Sequence, residues 1–179
     1  MNRITAYIRQ SLQDIYPPEE VKALSMLICC DMLGVDALDI YMGKDIILSA
    51  CKQRELENII FRLQKNEPIQ YIRGYAEFCG RNFRVAPGVL IPRPETAELV
   101  DLIVKENPDA RRLLDIGTGS GCIAISLDKN LPDAKVDAWD ISEEALAIAR
   151  KNNEELDAQV TFRRQDVFSA DGIQGTSYD

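Results

Sequence analysis

The run Leu113-Leu114-Asp115-Ile116-Gly117-Thr118-Gly119-Ser120-Gly121 constrains this chain more than any other segment. A short apolar stretch leads into three glycines at alternate positions, and apolar residues at helical spacing resume directly afterwards. Glycine reaches backbone angles closed to other residues and lets a ligand approach the main chain. A helix that starts at such a turn also carries unpaired N–H groups at its mouth. The pattern therefore predicts a buried strand, a tight turn and a helix, with a ligand held at the turn. Glycine loops also serve as plain connections, so neighbouring residues must decide between the two.

The surroundings supply a strand–helix alternation. Residues 112–116, 136–139 and 160–162 read as strands, while 120–127 and 143–153 read as helices. Such alternation predicts βαβ units, a parallel sheet and a Rossmann-like α/β domain. A helix over 95–104 precedes it, ended by Asn107-Pro108. The first seventy or so residues differ: Ile4, Ile8, Leu12 and Ile15, then Leu56, Ile59, Ile60 and Leu63, form apolar stripes at three- and four-residue spacing. Gly34 and Pro68 are placed to end helices and Ser49 to cap one, giving a small helical bundle. Between the two regions, Gly74, Gly80, Pro87 and Gly88 punctuate β-prone pieces such as Phe83-Arg84-Val85, which suits a hairpin. The expected organisation is a helical domain over 1–68, a β-hairpin linker over 69–91 and a nucleotide-binding-type domain over 92–179.

Composition narrows the chemistry. At 46% apolar and 28% charged residues, the 179-residue chain can bury a core. It has no histidine, which removes the commonest general base and metal ligand together, so no metal site is expected. Five cysteines, none spaced C-x-x-C, read as buried reduced thiols. A net charge of -8 opposes strong nucleic-acid binding. No apolar run is long enough to span a bilayer and no signal peptide opens the chain, so a cytoplasmic protein is expected.

Two aspartates give the turn its ligand. Asp140 closes the second strand roughly 20 residues past the turn, where a carboxylate can accept hydrogen bonds from ribose hydroxyls. Asp166, with Val167 and Phe168, follows the third strand and offers an acceptor and an aromatic face to an adenine ring. The dinucleotide fingerprint G-x-G-x-x-G/A is not met, because the third glycine comes one residue early and Cys122 takes its place. S-adenosyl-L-methionine lacks a pyrophosphate, and its cationic methionine end favours a nearby carboxylate such as Asp115. The expected cofactor-binding set is Asp115, Gly117, Thr118, Gly119, Ser120, Gly121, Asp140, Asp166, Val167 and Phe168.

With these motifs in place the chain resembles the protein-(glutamine-N5) methyltransferases of peptide chain release factors, the HemK or PrmC family. The resemblance is carried by Glu67-Pro68-Ile69-Gln70-Tyr71-Ile72-Arg73-Gly74, by residues 83–89, by Ile91-Pro92-Arg93-Pro94-Glu95-Thr96 and by the glycine turn. The Pro-Arg-Pro-Glu-Thr element is the most specific of these, and Ala97 stands where the family usually has an acidic residue. It implies a methyl donor held by the turn, a helical domain that helps dock a class 1 release factor, and an active-site loop at Pro92, Arg93, Pro94, Glu95 and Thr96. Two prolines in three residues would equally make a rigid connection.

The family's catalytic Asn-Pro-Pro-Tyr motif does not occur in these residues and is expected beyond Asp179, after a fourth strand. No catalytic residue is therefore expected here. The chain looks like a C-terminally truncated form holding the first half of the methyltransferase domain, inactive alone, with a sheet edge open to self-association. Two other readings stay open: an acceptor that is a ribosomal-protein glutamine or a nucleic-acid amine, and a noncatalytic module that binds only cofactor or protein.

Overall fold

The computed structural model describes residues 2–169 and 177–179. The chain divides into two compact units, Met1–Arg73 and Gly74–Asp179.

The first unit is helical. α1 (Arg3–Leu12) starts where the Asn2 side chain accepts from the Ile4 N–H at 2.8 Å, and it buries Ile4, Ile8 and Leu12. α2 (Pro18–Met26) has proline in its first turn, followed by Glu19 and Glu20, charges that suit a helix N-terminus. It runs on as a wider π-helical segment, Leu27–Met32, before Gly34 turns the chain at φ 64. α3 (Ala37–Tyr41) is capped by Asp36, and α4 (Ala50–Leu63) by Ser49, whose oxygen accepts from the Lys52 N–H at 3.3 Å. Leu56, Ile59, Ile60 and Leu63 of α4 complete the core against Ile8, Leu12 and Ile28.

One local expectation changes. Pro68 does not stop α4, which ends at Leu63 and turns through Asn66 at φ 58. It opens α5 (Ile69–Arg73), its carbonyl accepting from Tyr71 and Ile72. Proline lacks the N–H that a first helical turn leaves unpaired anyway, so it starts a helix as readily as it ends one. The hairpin accordingly begins only after Gly74.

In the second unit, β1 (Tyr75–Phe78) and β2 (Arg81–Arg84) pair antiparallel around Cys79 and Gly80, which both take positive φ (47 and 69) as a two-residue hairpin turn requires. Phe78 and Phe83 meet edge to face at 5.9 Å beneath it. α6 (Pro94–Glu106) follows. β3 (Arg112–Ile116), β4 (Lys135–Asp140) and β5 (Thr161–Arg164) form a parallel sheet in that order, connected by α7 (Cys122–Asn130) and α8 (Glu143–Glu155). Val136 and Ala138 of the sheet pack with Val100 of α6 and Ile125 of α7.

β3 forms one edge of the sheet among the described residues. Among the described residues, company on its far side is found at its first residue, where the Asp179 N–H donates to the Arg112 carbonyl at 3.0 Å. The Asp179 carboxylate accepts from the Arg111 and Arg112 N–H groups, which hold its pKa below the usual range. Among the described residues no helix is long and apolar enough to cross a membrane.

Candidate ligand-binding site

The strand ends set the site. Residues Asp115 and Ala138 are paired across β3 and β4, as are Ile116 and Trp139, so both strands reach their carboxyl ends together. Ligands of open α/β sheets bind at that end. A cavity of about 630 Å³ opens at the other end, against Arg112, Lys135, Val136 and Thr161. Two of its carboxylates are already committed: Asp128 accepts from the Gln159 N–H and Asp137 from the Tyr178 hydroxyl. The strand-end position makes the glycine turn the better candidate.

All three turn glycines lie at positive φ: Gly117 at 76, Gly119 at 55 and Gly121 at 80. Their amides are not free as the sequence suggests. Gly117 and Thr118 both donate to the Trp139 carbonyl, at 2.8 and 3.0 Å, and Gly121 donates to the Thr118 carbonyl at 2.8 Å. Gly119 donates to Asp140 Oδ2 at 2.9 Å. The bonds to β4 and within the turn take up the N–H groups of Gly117, Thr118, Gly119 and Gly121, so a pyrophosphate would find few left. A ligand with a cationic end suits this turn better.

Asp115 is the strongest electrostatic feature. Its carboxylate accepts from the Thr118 hydroxyl at 2.7 Å. Burial nevertheless pushes its pKa up, the Thr118 hydroxyl and the Ala124 N–H offset this in part, and the Asp140 charge adds to the rise. Two carboxylates at adjacent strand ends repel each other, and a bound cation would relieve both.

Asp140 is busier than the sequence implies. One oxygen ties the turn through Gly119, and the other accepts from the Ser142 N–H at 2.9 Å. Ser142 separately caps α8 by accepting from the Ala145 N–H at 3.1 Å. A carboxylate oxygen has two lone pairs, so Asp140 keeps acceptor capacity for a ligand hydroxyl.

Backbone pairing carries β5 to the same place: the Gln165 N–H donates to the Asp140 carbonyl at 3.0 Å. Beyond it, Asp166 Oδ1 accepts from the Phe168 N–H at 2.9 Å, which bends the segment over its own carboxylate. Val167 is exposed and the Phe168 ring is 94% exposed. Ile141, directly after Asp140, is 63% exposed, and Ile116 is half exposed. These exposed apolar side chains gather at the strand ends beside the glycine turn and make that end a candidate binding surface. Sequence reasoning missed Ile141, although an apolar residue directly after a strand-ending aspartate was a readable signal.

The Pro92, Arg93, Pro94, Glu95, Thr96 segment forms the entry to α6. Pro94 and Glu95 occupy its first turn, and the Thr96 N–H donates to the Arg93 carbonyl at 3.0 Å. α6 packs against α7 through the shared core, with Ala97 and Val100 against Ile125. The site of the usual acidic residue is thus given to packing.

A second missed residue is Asn152. It lies on the buried face of α8 with Ala145 and Ala149 and is 1% exposed. Its amide bonds both the Arg84 backbone and the Ser120 carbonyl. The readable signal was one polar residue inside an apolar helical stripe.

The cysteines are less uniform than expected. Cys29 and Cys122 are buried, with pKa values pushed up to about 11 by desolvation, whereas Cys51 is exposed because it falls on the outer face of α4. Among the described residues no three His, Cys, Asp or Glu side chains are grouped to hold a metal ion.

Two family models match this chain: the PrmC N-terminal domain over residues 4–74 and the Methyltransferase small domain over 95–179. A Release factor glutamine methyltransferase from Flavobacterium psychrophilum is 38% identical over 169 residues, covering 92% of this chain and 59% of the relative. One of the same name from Koribacter versatilis is 50% identical over 140 residues, covering 77% and 50%. The chain spans about half the length of the curated relatives it matches. The Pyrococcus abyssi tRNA (uracil-54, C5)-methyltransferase, solved with S-adenosyl-L-homocysteine, aligns at 22% identity and TM-score 0.44, over 51% of this chain and 23% of that one. The fold assignment rests on the parallel sheet and the family models instead.

Proposed function

We propose, for a chain that belongs to the release factor glutamine methyltransferase family, that the whole protein transfers a methyl group from S-adenosyl-L-methionine to the side-chain amide nitrogen (N5) of a glutamine in class 1 peptide chain release factors. These residues form its donor-binding half. The observation that carries the reading is the paired carboxylates, Asp115 and Asp140, at adjoining strand ends around a turn in which the N–H groups of Gly117, Thr118, Gly119 and Gly121 are already committed. Such a site disfavours a pyrophosphate and favours a cationic, ribose-bearing ligand.

In this reading Asp115 faces the cationic methionine end and Gly117, Thr118, Gly119, Ser120 and Gly121 supply the close main-chain approach. Asp140 accepts from the ribose, while Ile141, Asp166, Val167 and Phe168 border the adenine. Bound there, the cofactor supplies an activated methyl group. An amide nitrogen is a weak nucleophile because its lone pair is shared with the carbonyl, so the acceptor must be aimed in line at that methyl. The Pro92 to Thr96 loop borders the acceptor side. The residues that aim the amide belong to an Asn-Pro-Pro-Tyr motif that these 179 residues do not contain. The helical unit docks the protein substrate, and the reaction takes place in the cytoplasm, where termination of translation occurs.

Isothermal titration of these 179 residues tests the donor site: S-adenosyl-L-methionine and its demethylated product should bind, and no methyl transfer should follow. Assaying the whole protein with labelled donor against a class 1 release factor, ribosomal protein and RNA tests the acceptor. Labelling of RNA but no release factor would overturn the proposed substrate.

A further inference from the structure

Asn152 is a fully used buried amide outside the set of residues read as holding the donor. Its Oδ1 accepts from the Arg84 N–H at 2.7 Å and its Nδ2 donates to the Arg84 carbonyl at 3.1 Å. It therefore engages the backbone of β2 as a neighbouring strand would. The remaining Nδ2 hydrogen goes to the Ser120 carbonyl, at 2.8 Å, inside the glycine turn. One turn earlier on the same helix, Ala149 packs under Gly121, where an added Cβ would meet its Cβ at 3.2 Å. α8 thus grips the turn at two adjacent residues, Ser120 by hydrogen bond and Gly121 by contact. The turn's other anchors are Trp139 and Asp140 at the end of β4 and Asp115 of β3, which accepts from the Thr118 hydroxyl.

We propose that Asn152 is a positioning residue for the donor site: it fixes the Ser120 peptide against α8 and couples the Arg84 end of the hairpin to the geometry of the glycine turn. The coupling is chemical and directional. An amide has donors and an acceptor on one rigid plane, which lets it satisfy Arg84 and Ser120 together. With the Ser120 carbonyl released, the Gly119 N–H, two peptide units before it in the same tight turn, loses its fixed angle to Asp140. That hydrogen bond is the one that brings turn and carboxylate together. The hairpin in turn leads into the Pro92 to Thr96 loop, so the acceptor side and the donor side share one buried side chain.

The test uses the 179-residue chain, isotopically labelled, without cofactor, and reads the Gly119 amide by NMR. In wild type that amide should be protected and shifted downfield by its hydrogen bond to the Asp140 carboxylate. Asn152→Ala should move it upfield and speed its exchange at least tenfold, and Arg84→Ala should leave it in place, since Asn152 bonds only the Arg84 main chain and the Arg84 guanidinium pairs separately with the exposed Glu155. If the alanine variant does not fold, Asn152→Ser carries the same expectation, because its hydroxyl can turn back onto its own helix. A role confined to gluing the hairpin onto α8 would disturb Arg84 and leave the Gly119 amide unmoved, which would overturn the proposal. The donor-site reading enters separately, by titration with S-adenosyl-L-methionine. Affinity should fall about tenfold in the Asn152 variants, and cofactor should slow exchange of the Arg84 amide in wild type alone, as reciprocal coupling demands. A wild-type chain that takes no cofactor overturns the donor-site reading while the Gly119 amide still decides the role of Asn152.

Discussion

The Gly119 N–H donates to Asp140 Oδ2 at 2.9 Å, so the carboxylate read as a ribose acceptor also shapes the turn that would hold the rest of the ligand. Its substitution therefore strikes twice. Asp140→Ala removes the ligand acceptor and releases Gly119, while Asp140→Asn keeps one oxygen that can serve either partner. Hydrogen bonds to charged groups are worth about 1.5–3 kcal/mol. Titration calorimetry should show S-adenosyl-L-methionine affinity lowered by about 10- to 100-fold for the asparagine variant and beyond detection for alanine. Equal losses in the two would mean that the turn does not depend on this bond.

Asp115 should make the empty protein less stable at neutral pH than it could be. Burial raises its pKa in the folded state above the value in the unfolded chain. Above the folded pKa the native state carries a poorly solvated charge; as pH falls through that pKa the group takes up a proton and the penalty disappears. Asp115→Asn should therefore melt higher than wild type at pH 7, by about 2–4 °C for each kcal/mol of penalty relieved, and the gain should shrink on acidification. The same variant should bind the cationic donor more weakly. A melting temperature that falls at neutral pH would show that the Thr118 and Ala124 hydrogen bonds outweigh desolvation.

Much of this is legible in the amino-acid sequence, and the reasons are local. The strand over Arg112–Ile116 and the helix stripes at Ile4, Ile8 and Leu12 are written in period and spacing, which tertiary contacts here reinforce. Pro68 misleads because the same missing N–H suits a helix start and a helix stop. The turn amides mislead for a different reason. Whether an N–H meets a ligand or the Trp139 carbonyl depends on the approach of β4, a partner distant in sequence. Asn152 hides for that reason as well, since its partners Arg84 and Ser120 lie far from it along the chain.

The turn glycines should separate stability from binding. At Gly121 an added Cβ would meet Ile125 Cδ1 at 3.1 Å and Ala149 Cβ at 3.2 Å. At Gly117 it would meet nothing within 4 Å. Both sit at positive φ, so each alanine carries backbone strain of about 1–2 kcal/mol, but only Gly121→Ala adds overpacking of about 1–3 kcal/mol. Chemical denaturation should rank Gly121→Ala as clearly the less stable. Gly117→Ala should fold and lose donor affinity, because its new methyl group occupies the open space proposed to receive the ligand.

Phe168 offers the cleanest separation of all, because its ring is 94% exposed and contributes little to the fold. Phe168→Ala should leave the denaturation midpoint unchanged. If the ring stacks on adenine, its loss should weaken S-adenosyl-L-methionine binding by about 0.5–1.5 kcal/mol. A binding loss of the same size for methionine alone, which has no adenine, would contradict that placement. Ile141→Ala should follow the same pattern.

The free side of β3 makes a last prediction about the 179-residue chain itself. Asp179 occupies that side only at Arg112, leaving the main-chain groups further along β3 without a neighbouring strand among the described residues. Leu99 and Leu102 on α6 are also about half exposed. An unpaired edge is a template for another strand, and a second copy pairing about a two-fold axis would cover both edges at once. The net charge of -8 opposes that encounter, and salt screens it. Sedimentation equilibrium should therefore show mass rising with concentration, and more steeply at high salt than at low. A chain that stays monomeric across both conditions would show that water satisfies this edge well enough to leave it unpaired.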